Sequence, residues 1–212
     1  RMAELAPRDI VAREIFRGGW TDLAEGLCKT IEKSGKMSPE AEVGVKALHL
    51  DLRFDLAVRE RDPLKKKDLI KAVLDAKEEF VHQYSGTKEA TETTESLPDV
   101  YRALGETITV AIQKTADVKQ VSDLQREGDR VYTQAEDKIK ARLEELSQDH
   151  ASPANERLYT SLSYNLPRTH YYHSLLSPAG EWKKKDLLEK AIEGFQQFGL
   201  DNNENLLYYD GA

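Results

Sequence analysis

Cysteine and long apolar runs are scarce in this sequence. Cys28 is the only cysteine among 212 residues, so the chain has neither an intramolecular disulfide framework nor a cysteine-built zinc site. Cys28 lies in a helical stretch, and we expect it to be a small buried hydrophobic residue. No segment approaches the roughly 18 to 20 consecutive apolar residues of a membrane span. The sequence therefore predicts a soluble protein without membrane insertion.

An excess of positive charge is also lacking. Lys and Arg number 31 against 38 Asp and Glu, and the net charge is −7. A nucleic-acid partner is disfavoured because such binding requires a basic stripe that displaces counterions. Adhesion to an anionic membrane surface is disfavoured for the same reason. Charged residues still make up 33% of the chain, which is typical of amphipathic helices that bury one stripe and expose the rest.

Helical periodicity runs through most of the chain. Apolar residues recur at steps of three and four over 10–31, 65–84, 97–111 and 117–148, the spacing of one helix face. Gly18 and Gly19 predict a turn within the first of these segments. Ser38 and Pro39 predict the start of another helix, because a capping hydroxyl precedes a proline in the first turn.

Residues 48–56 alternate strictly between apolar and polar residues, and 106–112 alternate in part; taken alone, this pattern predicts β-strands. We interpret both as helices. In the first segment, Leu48 and Leu52 belong to one stripe at i, i+4 spacing, and Leu50 and Phe54 belong to a second. A helix with two apolar faces is what the interior of a helical array requires.

Two further segments predict irregular structure. Residues 85–95 are polar, threonine-rich and without period, which predicts a mobile polar loop. Pro167 lies inside a helical pattern and is expected to kink or restart that helix, with Asn165 as a candidate N-cap.

The most informative feature is an internal repeat. Residues 65–80 match residues 183–198 without a gap: both begin Lys-Lys-Lys-Asp-Leu and both end on phenylalanine, Phe80 and Phe198. The same offset pairs Leu48 with Leu166 and Phe54 with Tyr172 in the preceding helix. Each unit is therefore a helix, a short loop and a helix, and repeated helical hairpins indicate a solenoid.

These hairpins resemble the tetratricopeptide family. The clearest stretch is 164–176 followed by 188–195, where Ala191 and Phe195 match the small residue and the aromatic four positions later in the second helix of that family. Ala72 and Ala76 match in part. The likeness is good over 160–212 and fair over 40–84, whereas the loops are longer than the family's and the central long helices lack its signature. It implies an all-α, right-handed α-solenoid of antiparallel helix hairpins, with long central helices and a concave groove for partners.

The chain is expected to form a single helical-repeat domain over 1–212. Residues 206–209 resemble the start of a further first helix rather than a polar capping helix. A repeat array normally ends in a polar cap. We therefore expect the chain to be part of a longer array, or residues 206–209 to dock on another chain.

A candidate partner-binding site lies in the aromatic-rich segment 159–172. Tyrosine and arginine are the residues that commonly anchor interfaces. We predict that Asn165, Arg168, His170 and Tyr171 contact a protein or peptide partner, with Asn165 and Arg168 binding carboxylate or backbone groups. The competing interpretation is that the tyrosines of this segment only pack between helices.

Catalytic and metal-binding signals are weak. His170 and His173 share a helix face at i, i+3 spacing, but a metal site needs further ligands and none is spaced nearby to supply them. Both are therefore expected to be partly exposed histidines beside a groove. No phosphate-binding loop, dinucleotide fingerprint or nucleophile elbow is present. We predict no catalytic residues, no metal and no cofactor.

The leading hypothesis is thus a non-catalytic helical-repeat scaffold for protein–protein interaction. Two alternatives stay open. The chain is instead a helical ligand-binding, metal-binding or enzymatic module that uses His170 and His173, or a structural helical protein that self-associates. A groove lined by Arg168 and tyrosines favours the scaffold, a pocket that holds both histidines favours the module, and a large apolar face shared between chains favours self-association.

Overall fold

The computed structural model describes residues 8–33, 38–148, 153–177 and 180–201. Within these ranges the chain forms eight helices and no strand, so the all-α prediction is confirmed. The helices are α1 (Arg8–Arg17), α2 (Thr21–Lys33), α3 (Pro39–Arg59), α4 (Pro63–Gln83), α5 (Lys88–Lys114), α6 (Val118–Gln148), α7 (Pro153–Ser174) and α8 (Trp182–Asp201).

The chain divides into two compact units, Arg1–Val100 and Tyr101–Ala212, and the division falls inside α5. The first unit contains α1 to α4 and the first half of α5. The second contains the rest of α5 and α6 to α8. That the whole chain is a single helical-repeat domain stays a prediction. The proposed start of a further helix at 206–209 lies outside the described residues.

Helices α1 and α2 are separated by the predicted glycine turn. Gly19 has a φ of +83°, a left-handed conformation that glycine adopts without a steric penalty. The two helices pack on α3 through a core cluster that includes the fully buried Cys28 together with Leu48 and Leu52. The expectation that Cys28 is buried is therefore confirmed.

Helix α3 contains the first alternating segment, and its two apolar stripes serve two different clusters. Leu48 and Leu52 face the α1–α2 cluster, whereas Leu50 packs with Phe80 of α4 and Ala90 of α5. The helical interpretation of the alternating pattern is confirmed here and over 106–112, which lies within α5. Ser38 also caps α3 as predicted, because its Oγ accepts a hydrogen bond from the backbone N–H of Ala41 at 3.2 Å.

The prediction of a loop over 85–95 is wrong for residues 88–95, which form the first two turns of α5. Thr87 caps the helix, since its hydroxyl accepts a hydrogen bond from the N–H of Ala90 at 3.2 Å. Thr93 and Thr94 donate their hydroxyls to the carbonyls four residues earlier, at 2.7 and 2.8 Å. These bonds satisfy the polar side chains within the helix. Burial of Ala90, which is 3% exposed, anchors this turn against the cluster formed with Leu50.

The repeated segments occupy equivalent positions in the two units. Each forms the second helix of a contacting pair, α3–α4 in the first unit and α7–α8 in the second. The second lysine of each triplet donates to a backbone carbonyl that precedes its own helix: Lys66 to Val58 in the last turn of α3 at 2.6 Å, and Lys184 to Ser177, beyond the end of α7, at 3.4 Å. The charge of Lys66 complements the negative end of the α3 dipole. That these hairpins are structural repeats, and that they form a solenoid, stays a prediction.

Helix α7 does not restart at Pro167, so the expectation that Asn165 caps a new helix is wrong. Pro167 lies inside a continuous helix, where its ring removes one backbone hydrogen bond. It is buried against Gly194 of α8, where an added Cβ would lie 2.7 Å from Pro167 Cβ. The close approach of the two helices at this point packs the proline ring into the helix pair instead of ending the helix.

Candidate functional site

A cleft of about 380 Å³ lies in the second unit between α6, α7 and α8. Its apolar lining consists of Leu143, Tyr159, Leu166, Pro167 and Phe198. Neutral polar side chains, Thr160, Ser163 and Gln197, add hydrogen-bonding groups. Ligand sites in proteins are commonly concave and mainly apolar, with a few polar groups, and the cleft fits this description.

The walls of the cleft are positioned by the pairing of α7 with α8. Tyr164 of α7 packs against Phe195 and Phe198 of α8, with ring centroids 5.6 and 5.4 Å apart. One turn further along α7, Pro167 meets Gly194, which precedes both phenylalanines in α8. Later residues of α7 therefore contact earlier residues of α8, which shows that the two helices are antiparallel.

A buried histidine beside the cleft is held between two carboxylates of α6. His173 is 3% exposed, its Nδ1 lies 2.8 Å from Glu136 Oε1, and its Nε2 lies 2.8 Å from Asp129 Oδ1. Tyr132 stacks on the imidazole with ring centroids 5.3 Å apart. Because a carboxylate oxygen faces each ring nitrogen, both nitrogens donate hydrogen bonds when His173 is an imidazolium.

The carboxylates of this cluster are held in their charged forms. Burial alone would raise the pKa of Glu136, but the neighbouring imidazoles of His170 and His173 outweigh it and lower that pKa to about 2. Burial also opposes ionisation of Asp129, yet hydrogen bonds from Lys183 and His173 lower the pKa of Asp129. The ammonium of Lys183, from the second lysine triplet, binds the same Asp129 oxygen as His173. Through these ion pairs and hydrogen bonds the cluster connects α6 to α7 and α8.

His170 connects this cluster to the cleft. It lines the cleft although the residue is only 6% exposed. Its Nε2 lies 3.5 Å from Glu136 Oε2, and neither of its buried ring nitrogens, Nδ1 or Nε2, has a hydrogen-bond partner among the described residues. An unsatisfied polar atom in a buried position costs free energy. A ligand atom that bonds to Nδ1 would remove that cost.

The four residues predicted to bind a partner do not share one face of α7. His170 is buried and lines the cleft, whereas the neighbouring Tyr171 is 44% exposed, because successive helical residues point about 100° apart. Arg168 is half-buried with its guanidinium 5.7 Å from the ring centre of Tyr172. Asn165 is half-buried and donates to Ser161 Oγ at 3.4 Å. Only His170 lies at the cleft, and the binding role of all four stays a prediction.

The expectation of partly exposed histidines is wrong, since His170 and His173 are both buried. No ligands were expected for them because none is nearby in sequence. Their partners instead come from α6, where Asp129, Tyr132 and Glu136 follow at spacings of three and four on one helix face. That spacing was visible in the sequence, but the pairing of α6 with α7 was not.

Metal binding receives no geometric support in the part of the chain that the structure describes, where no group of three or more His, Cys, Asp or Glu side chains is arranged to hold an ion. Across the same ranges, no helix is both long and apolar enough to cross a membrane. No protein family model, curated protein or solved structure matches this chain.

Proposed function

We propose that the chain is a non-catalytic helical scaffold that binds a peptide segment of a protein partner in the α6–α7–α8 cleft. The observation that carries this proposal is the cleft itself: an apolar lining between two antiparallel helices, bordered by polar and charged side chains. Its volume of about 380 Å³ holds a few side chains of a longer segment, while the open side leaves room for the segment's backbone.

The finer architecture belongs to the same proposal. The hairpins α3–α4 and α7–α8 are taken as repeat units of a tetratricopeptide-like solenoid. Equivalent positions support this view, since Val73 and Ala191 are both buried, as are Phe80 and Phe198. Scaffolds of this kind bind partners through surfaces made by successive helices.

A cleft-filling substitution tests the proposal. Ser163→Phe places an aromatic ring in the cleft, and Ser161→Phe puts the same ring on the exposed side of the same helix. A displayed library of random dodecapeptides is selected on the wild-type chain, and the enriched peptides are synthesised for fluorescence anisotropy. We expect binding to weaken at least about tenfold in Ser163→Phe and to stay within about twofold in Ser161→Phe.

Folding of both variants is checked by circular dichroism. Equal peptide affinity in the two variants, or a library that yields no binding peptide, would overturn the proposal.

A second candidate function is a small-ligand module that uses His170. The observation that favours it is the unsatisfied, buried Nδ1 at the cleft wall. The two candidates differ in what occupies the cleft. A library of small carboxylic acids and amides, screened by ligand-observed NMR, would favour this candidate if no peptide is selected on the wild-type chain while a compound binds it and loses binding in Ser163→Phe.

A further inference from the structure

The charged residues that line the cleft are segregated along its length. Glu156 stands near the start of α7 and Asp201 at the end of α8, whereas His170 stands near the end of α7 and Lys190 in the middle of α8. Since the two helices are antiparallel, Glu156 and Asp201 fall at one end of the cleft. His170 and Lys190 fall at the other. The apolar lining lies between them.

Among the described residues, no cationic side chain pairs with the carboxylate end of the cleft. Asp201 accepts a hydrogen bond from the neutral amide of Gln197 at 2.8 Å. Within the described residues, no ion pair involves either Glu156 or Asp201. Two unpaired carboxylates at one end of an apolar cleft attract a cationic group of a ligand.

At the opposite end of the cleft, His170 lacks the pair of carboxylate contacts that the neighbouring His173 makes. His173 is held between two carboxylates, one on each ring nitrogen. His170 has Glu136 nearby, with Oε2 3.5 Å from Nε2, but Nε2 makes no hydrogen bond within the described residues. Its Nδ1 has no partner in the described part of the chain either. A carboxylate of the ligand placed at Nδ1 would give His170 a contact of the kind that His173 makes.

Lys190 supports an anion at this end. Its ammonium lies 2.7 Å from Asp186 Oδ2, in a pair that is half exposed. An ammonium has three donors, so Lys190 retains donors for a second acceptor while it binds Asp186. His170 and Lys190 both line the cleft, so a carboxylate at this end would meet both side chains.

We propose that the cleft binds an extended peptide segment with a basic residue at one end, apolar residues in the middle and a carboxylate at the other end. This inference rests on the proposed function. From Glu156 to His170 the α7 axis rises about 21 Å, which corresponds to about six residues of extended chain. The basic side chain pairs with Glu156 and Asp201. The carboxylate pairs with His170 and Lys190.

Four synthetic octapeptides test the charge pattern. All are capped at both termini and share a leucine–phenylalanine centre, and they carry lysine and glutamate, lysine and glutamine, glutamine and glutamate, or two glutamines at positions six residues apart. We expect the lysine–glutamate peptide to bind best. Each neutral replacement should weaken binding about three- to fivefold, the effect of one exposed ion pair.

Charge-changing variants locate the two ends. In Lys190→Glu the peptide's glutamate should no longer improve binding, and in Glu156→Gln the peptide's lysine should contribute less than it does in the wild-type chain. Lys185→Glu is the matched control, because Lys185 is exposed on the same helix and does not line the cleft. It should leave the ranking of the four peptides unchanged.

The outcomes separate this inference from the proposed function. If all four peptides bind equally and lose binding in Ser163→Phe, the cleft binds peptides but the charge pattern is wrong. If none binds while library peptides do, the inference is also overturned. If neither synthetic nor library peptides bind, the proposed function fails with it.

Discussion

Pro167 of α7 packs directly against Gly194 of α8. The proline ring occupies the space that a side chain at position 194 would need, since an added Cβ would lie 2.7 Å from Pro167 Cβ and 3.2 Å from Cγ. Both residues line the cleft. A proline in the middle of a helix is therefore matched by a glycine in the helix opposite, and the pair sets the spacing of the cleft walls.

The first prediction concerns this contact. Gly194→Ala should destabilise the second unit by about 1–3 kcal/mol, because the methyl group overlaps a rigid ring that cannot rotate away. Gly199→Ala is the control: it lies in the same helix, and nothing stands within 4 Å of its added Cβ. Alanine there should be neutral or stabilise by up to about 1 kcal/mol, its advantage over glycine within a helix. Urea unfolding followed by circular dichroism measures both changes, and equal stabilities would contradict the assigned contact.

The second prediction tests the start of α5. Thr87→Ala removes the hydroxyl that caps the helix and should cost about 1 kcal/mol. Thr91→Ala makes the same chemical change in the next turn, where the hydroxyl only donates back to the carbonyl of Thr87, and it should have little effect. Hydrogen exchange over residues 88–95 provides a second readout. A loop at these residues would show unprotected amides in the wild-type chain and no difference between the variants.

Much of the helical content follows from apolar spacing. The two stripes of α3 are readable because Leu48, Leu50 and Leu52 are all apolar and no alternative strand partner exists nearby in sequence. The start of α5 was missed for the opposite reason: its threonines have low helix propensity, and their bonds to carbonyls four residues earlier are invisible in composition.

The candidate site was harder to predict because it is assembled from separate helices. His170 was identified from its own segment. The carboxylates that contact it and His173 are more than thirty positions earlier in the chain. Local spacing limits what can be inferred to a single helix face. Which faces meet depends on how α6, α7 and α8 pack, and that information is distributed over many weak apolar contacts.

The third prediction concerns a buried lysine of the first unit. Lys77 is 1% exposed, and its ammonium donates to Asp51 Oδ1 at 2.6 Å and to Ser96 Oγ at 3.0 Å. Asp51→Ala would leave a buried ammonium without its carboxylate and should cost about 3–5 kcal/mol. Lys77→Met removes the buried charge but keeps an unbranched stem, and it should stay within about 1 kcal/mol of wild type, because Asp51 is half exposed and can be hydrated.

The comparison of these two variants is the informative measurement. Both variants break the same ion pair. If the attraction between the two charges were the only contribution, both would lose a similar free energy of unfolding in thermal or urea experiments. A larger loss for Asp51→Ala identifies desolvation of Lys77 as the dominant factor. A larger loss for Lys77→Met would contradict it.

The fourth prediction concerns acid stability of the second unit. The pKa of Glu136 is lowered from 4.5 to about 2 in the folded chain, so the folded state favours the carboxylate and the unfolded state binds the proton more readily. The resulting stabilisation is present above about pH 4.5 and is lost as the pH falls towards 2. It amounts to roughly 3 kcal/mol at most. Urea unfolding between pH 7 and pH 3 should show this loss in the wild-type chain.

Glu136→Gln separates this carboxylate from general acid sensitivity. The variant should be less stable at pH 7, because His173 loses one of its two carboxylate partners, and its stability should fall less steeply between pH 4.5 and pH 3. Glu144→Gln, a change at an exposed position of the same helix, should follow the wild-type pH profile. If Glu136→Gln loses stability as steeply as the wild-type chain, the acid sensitivity arises from other groups. The His–carboxylate cluster would then not be the contact that stabilises the packing of α6 on α7.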